Sequence, residues 1–123
     1  FGHVIHVTDC RTGLEVGAIR QKILTFLPQF NIEVGGQTIG TISKLFSFLI
    51  PRYEINYKGW RAEGNFMGWD YRVTGPDGVK MYITKELFHW GDTYVIEFDH
   101  EEDEVMGLLL VIAIDAVNCS NNK

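Results

Sequence analysis

Most of the signatures by which a sequence announces chemistry are missing from this chain of 123 residues. It has no glycine-rich phosphate loop, no nucleophile elbow, no Cys-x-x-Cys pair and no catalytic pairing of carboxylates. Cysteine is scarce. Cys10 and Cys119 are the only two, too few for a disulfide framework, and a chain of this length folds without one. A reducing, cytoplasmic setting is the expectation. No run of lysine and arginine marks a nucleic-acid surface. No apolar run is long enough to cross a membrane. The longest, Val105 to Val117, is interrupted by Gly107 and Asp115, and as a helix it covers about 20 Å of a hydrocarbon core about 30 Å thick. Repeats, linkers and low-complexity stretches are absent as well, so residues 1–123 read as a single domain.

What is present is mostly strand. Apolar and polar residues alternate through Phe30-Ile32-Val34, Tyr53-Ile55-Tyr57, Trp60-Ala62-Gly64-Phe66, Trp69-Tyr71-Val73, Val79-Met81-Ile83 and Tyr94-Ile96-Phe98. Each run has one apolar face and one largely polar face, the mark of antiparallel strands with water on one side. Turn sequences separate them: Asp9 to Gly13, Gly35-Gly36, Lys58-Gly59 and Gly75-Pro76-Asp77-Gly78. The pattern predicts about nine strands, at 2–9, 14–24, 29–35, 38–44, 52–57, 60–66, 69–74, 79–85 and 93–99. The fourth is the least regular, because Ile39 and Ile42 break the alternation. The apolar block 45–51 suits a buried turn or a short helix.

Val105 to Val117 differs in kind. A helix apolar on every side must be surrounded, and the only available surrounding is sheet. A mainly β fold, an antiparallel barrel enclosing a hydrophobic C-terminal helix at about 104–118, satisfies both the helix and the one-sided strands. Acidic residues mark the helix entry. Six of the sixteen acids lie in Glu97 to Glu104, and the other ten nearly balance the eleven bases. Asp99 or Asp103 is placed to cap the helix, at the positive end of its dipole.

Three sets of residues point beyond these elements. Ile42 to Phe46 leading to Pro51 to Ile55, Ile83 to Glu86 followed by Trp90 to Tyr94, and Val111 to Val117 together resemble the LURP-one-related proteins, and most of all their bacterial members. That family belongs to the Tubby C-terminal-like group, with the phospholipid scramblases. The resemblance runs over essentially the whole chain and carries no catalytic signature. It implies a twelve-stranded barrel around a central helix, so about three strands would precede Phe1. A barrel short of strands has open edges, which invite dimerisation or strand exchange. The relatives also imply a possible ligand class, anionic phospholipid, held by outward cations such as Lys44, Arg52, Lys58, Arg61, Arg72, Lys80 and Lys85.

Few residues are candidates for chemistry. His3 and His6 fall on opposite faces of a strand and cannot share a metal. His89 and His100 have no partner nearby in sequence. The acidic run from Asp99 lacks the glycine at position 6 and the glutamate at position 12 of a calcium loop, where Glu104 and Leu110 stand. Asp115 is the sharpest residue, a buried polar group in a greasy helix that needs an Arg, Lys, Trp N–H or backbone donor. The expectation is therefore a non-enzymatic binding or scaffold module without cofactor, metal or catalytic residues, its ligand unidentified. A peripheral phospholipid- or phosphoinositide-binding protein is the alternative.

Overall fold

The computed structural model describes residues 3–22, 27–46, 52–65, 70–88 and 91–120, excluding the side chains of 65, 86–88, 91–93 and 118–120. Among the described residues, nine antiparallel strands and one α-helix make up the fold. Strands β1 (Val4–Thr8), β2 (Glu15–Gln21), β3 (Gln29–Val34), β4 (Gln37–Leu45) and β5 (Arg52–Asn56) form one sheet in chain order. Strands β6 (Arg61–Asn65), β7 (Asp70–Gly75), β8 (Gly78–Phe88) and β9 (Gly91–Phe98) form a second. A 3₁₀ turn, Glu101–Asp103, leads into helix α1 (Glu104–Ser120). Residues 47–51 of the apolar block 45–51, together with Phe66, Trp69, His89 and Trp90, lie outside the described residues.

The alternation in sequence becomes the inside and outside of each sheet. Tyr53 and Ile55 on β5, Tyr71 and Val73 on β7, and Met81 and Ile83 on β8 are buried, while Arg52, Glu54, Arg72 and Tyr82 between them are exposed. Helix α1 supplies the other half of the core: Met106, Leu109, Leu110, Val111, Ala113, Ile114 and Val117 pack with these residues and with Ile19, Phe30, Ile32 and Ile42. Two glycines let the layers close. A β-carbon on Gly107 would meet Met81 Sδ at 2.6 Å. One on Gly17 would meet Leu109 Cδ1 at 2.7 Å and the Glu33 carbonyl oxygen at 2.9 Å. Helix and sheet touch there backbone to side chain.

Three register shifts place the irregular residues. On β4, Gly40 opposes Ile32 and Thr38 opposes Glu33, so Ile39 is an extra residue and ends up exposed. That bulge explains the broken alternation and returns Ile42 to the core. A like shift at Lys80 turns Val79 outward, 41% exposed, against the inward position its spacing predicts. The third lies between Val7 and Thr8 on β1. Gly35 and Gly36, both at positive φ, make the two-residue hairpin joining β3 to β4.

Asp103 directly precedes α1 and is buried, while His100, at the cap position of the 3₁₀ turn, makes no side-chain capping bond. Among the described residues the strands form two sheets, and no ladder joins β5 to β6, or β9 to β1. The tight turn Tyr57–Trp60, with Lys58 and Gly59 at positive φ, carries the chain from one sheet to the other.

Candidate binding surfaces

The helix is not sheathed evenly. Along α1 the residues with partial or full exposure are Glu104, Val105, Leu108, Ile112, Asp115 and Ala116, and the rest, as far as Val117, are buried. At 3.6 residues per turn, five of these, Val105 to Ala116, fall on one stripe about 100° wide. Its boundaries are set by contacts. Asp115 at one margin meets Tyr94 of β9, and Leu109 at the other meets Gly17 of β2. The stripe therefore faces the seam between β9 and β1. The inward residues flanking that seam are under-covered in the same way: Ile5 on β1 is 38% exposed, and Val7, Ile96 and Phe98 are half-buried. The result is an apolar groove, floored by the helix and walled by two strand edges that have no neighbour among the described residues.

Asp115 stands at one end of this groove. It is half-buried rather than sealed in the core. The Tyr94 hydroxyl donates to its carboxylate, and the Lys85 ammonium donates to the Tyr94 oxygen, with Nζ 5.6 Å from the ring centroid. Partial burial, and then the Asp115 charge, push the Tyr94 phenol above its ordinary range. Tyr71, deeper beneath the same cluster, is pushed further up, by burial first and then by Tyr94, Tyr53 and Asp115. Charge in this corner is matched internally: one carboxylate, one ammonium and a phenol between them.

At the other end of the groove acids gather: Glu97, Asp99, Glu101, Glu102 and Glu104 are all exposed around the start of the helix. Lys80 shares a shallow concavity with Glu97 and Asp99. Arg11, which feels the Glu104 charge, is paired with Asp9 at 3.3 Å; that pairing, led by the Arg11 backbone N–H, lowers the Asp9 pKa.

A second concavity, of about 590 Å³, opens where β5 and β6 diverge. Tyr53 and Trp60 lie at its base, and Arg52, Glu54, Arg61 and Glu63 line it. Glu63 is engaged by Arg72 at 3.4 Å, whereas Arg52 and Arg61 have no ion pair among the described residues. The remaining sequence candidates stay apart. His6 binds Glu15 at 2.5 Å on the surface, and His3, His100 and Cys10 are exposed. Of the outward cations, Arg72 is paired, Lys58 stands 5.4 Å from the Tyr57 ring centroid, and Lys44 and Lys80 are half-buried on different sheets. Among the described residues no three His, Cys, Asp or Glu side chains converge as a metal site would require, and no helix is long and apolar enough to cross a membrane.

Sequence comparison agrees with the resemblance noted above. Residues 1–115 match the LURP-one-related family. An uncharacterized Bacillus subtilis protein, YxjI, is 28% identical over 116 residues, which cover 94% of this chain and 71% of the relative. No solved structure matches.

Proposed function

Because this chain belongs to the LURP-one-related family, and its helix leaves an apolar stripe open between two strand edges, we propose that it is a non-enzymatic binding module that receives its ligand in that groove. The carrying observation is the stripe itself. Leu108 and Ile112 are as apolar as their buried neighbours, yet they are half-covered, and apolar surface left in water beside unpaired backbone marks an interaction site. The non-enzymatic half of the reading is supported by Asp115, whose carboxylate is taken up by Tyr94 instead of facing a nucleophile or a second acid. Native mass spectrometry of the protein, with a Leu108→Asp variant beside it, tests this. A ligand carried by the parent and lost from the variant supports the groove. A ligand retained by both variant and parent places binding elsewhere and refutes it.

A peripheral phospholipid-binding role is the second reading, favoured by one observation: Arg52 and Arg61 line the same cleft without an ion-pair partner among the described residues, suiting an anionic headgroup. Flotation with anionic vesicles at low and high salt separates the two readings, since contacts through arginine weaken steeply with ionic strength. No flotation at low salt, or flotation unchanged in an Arg52→Ala/Arg61→Ala variant, removes it.

A further inference from the structure

Strands β5 and β6 are shaped to pair, yet they stand apart. The turn between them has two central residues, Lys58 and Gly59, both at positive φ, and the Trp60 N–H donates to the Tyr57 carbonyl at 2.8 Å. The twist of such a turn suits an antiparallel hairpin that continues beyond it. Here the strands part instead: no ladder joins them among the described residues, and the cleft of about 590 Å³ opens between them. Its lining mixes Tyr53, Ile55 and Ala62, which pack with the core, and Arg52, Glu54 and Glu63 from the outer face. The cleft therefore passes between two backbones rather than over one sheet.

A two-residue turn fixes the register in which this seam would close. Ile55 falls opposite Ala62, and both already face the core. Tyr53 falls opposite Gly64, whose partner on β7 is Tyr71, and the Tyr71 phenol already feels that of Tyr53. The inward residues thus agree with a closed seam. The outward ones resist it. Glu54 falls directly opposite Glu63, and like charges so placed are destabilising. In the open seam Glu63 turns to Arg72 instead, at 3.4 Å. Closure brings some compensation: Arg61 comes diagonal to Glu54, and Arg52 diagonal to Glu63, within reach of long side chains. We propose that the β5–β6 seam is a gate, a hairpin that alternates between the open cleft and a closed ladder, with the Glu54–Glu63 pair holding it open. Open, it presents Arg52, Arg61 and the rings of Tyr53 and Trp60. Closed, it joins β1 to β9 in one sheet and gives the arginines partners within the chain. This control of access goes beyond both ligand readings and requires neither.

Hydrogen exchange reads the state of the seam. Trp60 already bonds to Tyr57, and every second residue of an antiparallel ladder repeats that bond, so closure takes up the amides of Tyr53, Ile55, Ala62 and Gly64. These should exchange freely in the parent chain. They should slow, by up to about fivefold, in Glu54→Gln/Glu63→Gln, which removes the like-charged pair. Glu54→Lys, which sets opposite charges face to face, should slow them further. A Glu54→Cys/Glu63→Cys variant, with Cys10 and Cys119 changed to serine, should form a disulfide on mild oxidation, because closure brings those α-carbons to about 4.5 Å. All the seam substitutions are on the outer face and leave the core untouched. The gate is overturned if those amides are already protected in the parent, if neither charge variant slows them, or if the cysteine pair stays reduced.

Discussion

Leu108 and Leu109 are adjacent, chemically identical and in the same turn of helix, yet they should respond very differently to truncation. Leu109 is fully buried and touches the bare backbone of β2 at Gly17. Leu109→Ala removes the transfer energy of its side chain and leaves a cavity, because a strand held in two ladders cannot collapse into it. Leu→Ala losses at such sites run from about 2.7 to 5 kcal/mol, and about 3–4 is expected here. Leu108 lines the open groove and is half-buried. Its truncation leaves no enclosed cavity and gives up roughly half of a transfer term of about 2 kcal/mol, so about 1 kcal/mol. A chain of 123 residues unfolds with an entropy of about 0.26 kcal/mol/K, at about 2.1 cal/mol/K per residue. Leu109→Ala should therefore lower Tm by about 11–15 °C and Leu108→Ala by about 4 °C. Differential scanning calorimetry on both variants decides. Equal losses at the two positions would mean that the helix is enclosed on all sides, and the groove, with everything argued from it, would be withdrawn.

Other perturbations follow from the same packing. Gly17→Ala should cost about 1–3 kcal/mol, since its β-carbon meets the immovable Glu33 carbonyl, whereas Gly107→Ala should stay within about 1 kcal/mol because Met81 can swing aside and the helix gains propensity. Urea midpoints of the two variants measure the contrast. Asp115→Ala and Tyr94→Phe should each cost about 1–2 kcal/mol, and the double variant clearly less than their sum, because they remove one shared hydrogen bond; strict additivity in a double-mutant cycle counts against that bond. Stability should fall with alkaline pH. The Tyr71 phenol is raised in the folded state, so it stays protonated after the unfolded chain has ionised near pH 10. Its contribution is complete below that pH and is lost as pH rises toward the folded value, by about 1.4 kcal/mol per unit. Tyr71→Phe should flatten the fall in Tm between pH 9.5 and 11, and an unchanged slope refutes the assignment.

The strands were legible because a period of two is a physical statement about one buried face, and Tyr53, Ile55, Tyr71 and Val73 obey it. It gave out where backbone pairing, not apolar pattern, sets the boundary. β8 runs on to Phe88 because Glu86, Leu87 and Phe88 pair with Thr93, Asp92 and Gly91, although no alternation marks them. Closure was not legible for a related reason: alternating residues read the same in a closed sheet and in two sheets sharing a helix. The site was harder still. A uniformly apolar helix does not say which side is open, so the stripe through Leu108 and Ile112 emerges only once β1 and β9 are placed around it. Asp115 stood out as a carboxylate among aliphatics. Its partner, Tyr94, lies on a strand whose spacing announced only that its side chain faces inward.

Helix α1 follows strands β1 to β9 along the chain and packs into the interior of both sheets. During synthesis the strands leave the ribosome first and must wait, their greasy faces bare, until Leu109 through Val117 have emerged. The nascent protein is thus a pair of sheets without a filling, the kind of intermediate that chaperones exist to shield. Any message or protease cut that stops before the helix leaves adhesive β-ribbon rather than a smaller working domain.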